Sequence, residues 1–165
     1  MPDDAIRQIY SEALDENRFE LHYQPICNMS TGRQVGYEAL LRLPHSDMGP
    51  SEFLPAISRL GLMPSVNEWV INKVTEDLKR IPKYLWVAIN ISELEGIENQ
   101  INSAAARGLD LKRIRLEIVE SLTINTGAIA TLSLLRSQGI KLEWDDFGTG
   151  WNGMTRIALL KADAL

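Results

Sequence analysis

The sequence predicts an α/β protein of the (β/α)8, TIM-barrel-like type, with about five to six βα units present. Three observations carry this. Apolar strand-like runs alternate with helical repeats along the chain, the pattern of βαβ units and a parallel sheet. No G-x-G-x-x-G turn and no P-loop follows an early strand, as a doubly wound nucleotide fold would show. Polar side chains recur instead at or near the ends of nearly every strand, where barrel enzymes assemble a site from several strands at once.

The elements follow in order. Residues 4–17 carry Ile6, Ile9, Tyr10, Ala13 and Leu14 at helical spacing. Residues 19–26 alternate apolar and polar side chains and read as a strand; Ser30, Thr31 and Gly32 mark a turn, and residues 34–43 form a second strand. After a loop over residues 44–50, Ser51 and Glu52 begin a helix that Gly61 breaks. A longer helix over 64–80 aligns Val66, Trp69, Val70, Val74 and Leu78. The pattern then repeats: strand 85–91, helix 93–107, strand 114–120, helix 128–138 with Gly139 as its stop, and strand 140–146. A loop over 147–150, a helix over 152–160 and the start of a sixth strand complete the reading.

Composition narrows the class. The chain has 165 residues, 17 Lys+Arg against 22 Asp+Glu, a net charge of −5 and 45% hydrophobic residues. Those values suit one domain over residues 1–165 with a real core, and disfavour disorder. The single cysteine, Cys27, excludes a disulfide scaffold, fits a reducing, cytoplasmic setting, and reads as a buried thiol. No run of 18 apolar residues exists, so no membrane span is expected. The acid excess disfavours binding to polymeric nucleic acid, though not to a small phosphate ligand held through metal ions.

The acids concentrate at strand ends. Glu38, Glu117, Glu120, Asp145 and Asp146, with the amide of Asn90, gather on consecutive strands. Each alone has an ordinary reading: Glu38 as the ion-pair partner of Arg42, Asn90 as a backbone hydrogen-bonder, Glu120 as a helix cap. The adjacent pair Asp145–Asp146 is harder to explain so. Two like charges disfavour folding unless a cation is bound, and an oxygen-rich set suits Mg²⁺, Mn²⁺ or Ca²⁺. Two such ions serve phosphodiester hydrolysis, with Arg42 matched to a phosphate. His22, His45 and Cys27 have no zinc-ligand spacing, and no serine has a plausible histidine partner.

These residues lie in recognisable motifs. Glu38-Ala39-Leu40-Leu41-Arg42 resembles the signature of the EAL-domain family of cyclic di-GMP phosphodiesterases. Tyr23-Gln24-Pro25-Ile26 resembles the family's opening strand, and Val87 to Ser92 its third. Leu116-Glu117-Ile118-Val119-Glu120-Ser121 is similar to its E-x-x-E-S segment, and Asp145-Asp146-Phe147-Gly148-Thr149-Gly150 to its acidic strand end and loop. The resemblance runs from about residue 5 to the last residue. Leu43, Val119 and Trp151 are its small departures, where an aromatic residue, a threonine and a tyrosine are common.

The resemblance implies a (β/α)8-type barrel with one antiparallel strand. It implies hydrolysis of cyclic di-GMP to linear pGpG with two Mg²⁺ or Mn²⁺ ions and inhibition by Ca²⁺. Glu38, Asn90, Glu117 and Asp145 would ligate the first metal. Asp145 would bridge, and Asp146 would hold the second and help position water. Arg42 would bind substrate phosphate, Gln24 would line the pocket, and Glu120 would anchor the loop after Asp146. The expected partners are a second copy in a homodimer and an upstream sensory or GGDEF domain. A complete barrel takes about 250 residues, so the later strands, with a lysine, a glutamate and a glutamine of the family's site, are expected to be absent here. The open sheet is expected to pair with another copy or to lack independent stability. The alternative function is a non-catalytic module that binds cyclic di-GMP or a protein partner.

Overall fold

A computed structural model describes residues 3–44, 49–119 and 122–144. The chain begins with helix α1 (Asp3–Asp15), which buries Tyr10 and Ala13, followed by strands β1 (Glu20–Cys27) and β2 (Gln34–Arg42). Two helices come next, α2 (Pro50–Arg59) and α3 (Met63–Asp77). Then strand and helix alternate: β3 (Trp86–Ile91), α4 (Ile97–Ala106), β4 (Ile114–Ile118), α5 (Thr126–Ser137) and β5 (Lys141–Trp144). The five strands form one sheet in the order β1-β2-β3-β4-β5. β1 and β2 are antiparallel and every later pair is parallel. The predicted sixth strand and the helix over 152–160 lie outside the described residues.

Alternation along each strand separates two faces. Ala39, Leu41, Val87, Ile89, Ile91, Ile114, Leu116, Ile118, Leu142 and Trp144 are buried and meet Ile71, Val74, Ile101, Leu132 and Leu135 from the helices. This outer layer is the core. The opposite, inner face carries Gln24, Glu38, Trp86, Asn90, Arg115, Glu117 and Glu143, which are exposed or half-buried. One sheet therefore has two faces, an apolar one packed against the helices and a polar one that carries Gln24, Glu38, Asn90 and Glu117.

Local signals explain the boundaries. Pro50 takes the first turn of α2, where its missing N–H costs nothing, and Glu52 accepts from the Gly49 N–H at 3.0 Å. Gly61 and Gly139 adopt φ +67° and +103° after α2 and α5, the left-handed turn that ends a helix. The helix expected from residue 93 starts later, at Ile97. Glu93 is instead held in the preceding loop, its backbone carbonyl accepting from Asn67 Nδ2 at 3.1 Å and its carboxylate from Ser58. Cys27, read as buried, is exposed, because it ends the edge strand β1.

Candidate functional site

The strand register brings the predicted residues of β2, β3 and β4 together. Gln24 is the cross-strand partner of Glu38 in the antiparallel β1–β2 pair. Glu38 pairs with Ala88 on β3, which puts Asn90 one pleat ahead of it on the same face. Asn90 is the register partner of Glu117, and Glu117 of Glu143. Glu38 thus sits in mid-strand rather than at a strand end. The stagger between β2 and β3 nevertheless aligns it with Asn90 near the end of β3.

Asn90 Nδ2 donates to Glu38 Oε1 at 2.8 Å. An amide that gives its NH₂ group to a carboxylate keeps its carbonyl oxygen for another partner. Arg42 turns its Nη1 onto the carbonyl of Leu41 at 2.8 Å. Among the described residues no ion pair joins Glu38 to Arg42, so the simple charge-pair reading of Glu38 gives way to the amide contact.

The opposite face fixes this row in place. Tyr23, beside Gln24, points to the helices and donates from its hydroxyl to Asp77 Oδ2 at 2.8 Å, while Lys73 Nζ holds Asp77 Oδ1 at 3.0 Å. The Tyr23 and Tyr37 rings meet edge to face at 6.0 Å. Burial, and then the Asp77 carboxylate, push the Tyr23 hydroxyl far above its ordinary pKa, so it stays a neutral donor. β1 and β2 are thereby tied to the C-terminal end of α3.

The inner face holds a second group that the motifs did not single out. The Arg115 guanidinium lies 3.6 Å over the Trp86 ring and is hydrogen-bonded to Glu143 Oε1. Gly36 faces Trp86: a Cβ at Gly36 would stand 2.5 Å from Trp86 Cδ2. Alternation alone contained the signal. Trp86 has the parity of Asn90, and Arg115 and Glu143 have the parity of Glu117 and Asp145.

Two carboxylates and an amide on adjacent strands are hard oxygen donors, the chemistry that Mg²⁺ and Mn²⁺ take. The described residues fit a divalent ion through Glu38, Asn90 and Glu117. They do not by themselves form a cluster of three carboxylate, histidine or cysteine ligands. Asp145, Asp146 and Glu120 lie outside the described residues. A cleft of about 780 Å³ opens elsewhere, between α2, the N-terminus of α5 and the loops after β3 and β4. Leu54, Ser58, Ser92, Val119 and Asn125 help to line it, and Glu38, Asn90 and Glu117 do not.

Residues 7–165 match the EAL domain family, and the chain belongs to that family. A Pseudomonas aeruginosa protein named cyclic di-GMP phosphodiesterase is 32% identical over 163 residues, covering 91% of this chain and 28% of its own length. The bifunctional diguanylate cyclase/cyclic di-GMP phosphodiesterase MucR of the same organism is 30% identical over 173 residues, covering 93% of this chain and 24% of its own length. The chain therefore spans less than a third of either relative. The solved structure of the PaMucR phosphodiesterase in complex with c-di-GMP superposes with a TM-score of 0.82 at 28% identity, covering 96% of this chain and 70% of that one. The fold is accordingly the barrel-like α/β fold of EAL domains, of which five strands are described here. Among the described residues no helix is long and apolar enough to cross a membrane.

Proposed function

We propose that this chain, residues 1–165, is part of an EAL domain that hydrolyses cyclic di-GMP to linear pGpG. The observation that carries the reading is the Glu38–Asn90–Glu117 row on the inner face, with Asn90 donating to Glu38. Kinship to proteins named cyclic di-GMP phosphodiesterases supports it.

Glu38, Asn90 and Glu117, with Asp145, would hold the first of two Mg²⁺ or Mn²⁺ ions, and Asp146 would hold the second. When bound, such ions supply Lewis acidity toward phosphate oxygens and lower the pKa of water. Arg42 binds a substrate phosphate with its fork; the Leu41 carbonyl engages only Nη1, and the Nε–Nη2 edge presents the fork. Gln24, exposed beside Glu38, hydrogen-bonds the dinucleotide. Asp146 orients the attacking water, whose oxygen forms a bond to phosphorus as the P–O3′ bond breaks. The proton ends on the leaving 3′ oxygen. Glu120 anchors the segment after Asp146, and Ca²⁺ inhibits. The protein acts in the cytoplasm as a homodimer, with a sensory or GGDEF domain upstream.

The test is incubation of the full chain with cyclic di-GMP and Mg²⁺ or Mn²⁺, followed by anion-exchange chromatography. Formation of pGpG that disappears in Glu38→Gln is the expected result. Tight binding without any turnover would favour the non-catalytic module instead.

A further inference from the structure

Glu143 is the anomaly of the inner face. Its Cα is the register partner of Glu117, its side chain is only 14% exposed, and it extends the row that starts at Glu38. Hard divalent ions accept carboxylates readily, and their affinity follows the number of charged ligands offered. A surplus carboxylate in register with a ligand competes for the same ion.

Arg115 removes it from that competition. Arg115 is in register with Lys141, not with Glu143, so its guanidinium reaches diagonally forward to Glu143 Oε1. Its reach is set by Trp86, on whose ring the guanidinium lies at 3.6 Å, and Trp86 is itself seated against Gly36. The contact chain runs across four strands. A planar guanidinium can lie flat on an indole and bind a carboxylate through its edge at once, a geometry that the compact lysine ammonium does not match. A half-buried ion pair is weak evidence of stabilisation, because desolvation offsets most of its attraction. Its geometric effect is definite: Glu143 is held toward Arg115.

We propose that Arg115 is a positioning residue, seated on Trp86, that keeps Glu143 out of the cation-binding set of Glu38, Asn90 and Glu117. The proposal rests on the divalent-metal reading of this face. Releasing Glu143 adds one carboxylate to the ion and displaces one water from it.

The test uses the full chain, with Mn²⁺ affinity from calorimetry and coordinated water counted from Tb³⁺ luminescence lifetimes in H₂O and D₂O. In Arg115→Met, Mn²⁺ binding tightens about tenfold and bound Tb³⁺ loses about one water, as one extra carboxylate ligand requires. Both changes revert in Arg115→Met with Glu143→Gln. Tighter binding with an unchanged water count overturns the proposal, because removing a nearby positive charge alone does that. If Arg115→Met does not fold, Arg115→Leu likewise removes the partner of Glu143, and the same loss of water is expected there. An unchanged water count in that variant overturns the proposal equally. Glu117→Gln separates the two readings: if it leaves Mn²⁺ affinity unchanged, the metal site itself is refuted. If it weakens Mn²⁺ binding while the Arg115 variants do not shift the water count, only the role of Arg115 falls.

Discussion

Asn90 on β3 donates its side-chain amide to the Glu38 carboxylate on β2 at 2.8 Å, and this contact determines what each residue can do. Replacing Asn90 by aspartate exchanges a donor for a like charge facing Glu38. Asn90→Asp is expected to lower the melting temperature of the metal-free protein. Saturating Mn²⁺ should then raise that temperature by more than it does for the wild type, because the ion relieves an added repulsion. Differential scanning calorimetry with and without Mn²⁺ reads both effects. Equal metal-induced shifts in the two proteins would refute a shared cation between residues 38 and 90.

Gly36 is required by its neighbour rather than by its own backbone. A Cβ there would lie 2.5 Å from Trp86 Cδ2 and 2.6 Å from Cε3, well inside contact distance. The Arg115 guanidinium lies 3.6 Å over the indole, so a shift of the ring away from Gly36 disturbs that stack. Gly36→Ala is therefore expected to cost about 1–3 kcal/mol, the usual range for overpacking, despite alanine's lower unfolded-state entropy. Urea denaturation measures the loss. Trp86→Leu combined with Gly36→Ala should recover part of it.

These two residues also mark how far the sequence could be read. Alternation placed all five described strands to within about two residues, since one face of each is apolar and the other polar. The strand-end reading grouped Glu38, Asn90 and Glu117, although Glu38 lies in mid-strand. What alternation cannot supply is register. The stagger that aligns mid-strand Glu38 with late-strand Asn90 comes from hydrogen bonding between β2 and β3. The Asn90–Glu38 bond, rather than a Glu38–Arg42 ion pair, follows from that stagger. The late start of α4 depends on Asn67 and Ser58, which lie far from Glu93 in sequence, so no local pattern foretold it. Alternation puts Trp86, Arg115 and Glu143 on the inner face, but only three strands in register bring them into contact.

The Tyr23–Asp77 bond carries an alkaline signature. Burial first, then the hydrogen bond to and charge of Asp77, raise the Tyr23 pKa above its unfolded value of 10.0. The folded state thus holds the tyrosine proton more tightly than the unfolded chain. The stability linked to this difference is fully present below about pH 10 and is lost as the pH rises above it. Tyr23→Phe lacks the group and the loss. At pH 7 it is expected to be less stable by about 1.5–3 kcal/mol, the worth of a hydrogen bond to a charged acceptor. The gap between wild type and variant should narrow above pH 10. Denaturation curves at pH 7, 9 and 10.5 would show it, and a constant gap would argue that Tyr23 is not the titrating group.

Arg113 gives the clearest stability test away from the inner face. It ends a short 3₁₀ turn (Leu111–Arg113) just before β4, and its guanidinium donates to four backbone carbonyls. Nε reaches Leu85 at 2.9 Å, Nη1 reaches Leu78 at 3.2 Å, and Nη2 reaches Ile81 at 3.1 Å and Pro82 at 2.9 Å. All four acceptors lie between α3 and the start of β3, so one side chain ties that whole connection to β4. The fork geometry is what spans them, and a lysine ammonium is a single point. Arg113→Ala is expected to destabilise the fold by about 2–4 kcal/mol, because it leaves several part-buried carbonyls short of donors. Arg113→Lys should restore less than half of that. Amide hydrogen exchange should accelerate in residues 78–86 in both variants while α5 stays protected. Uniform acceleration across the chain would mean that Arg113 supports the core as a whole rather than this connection.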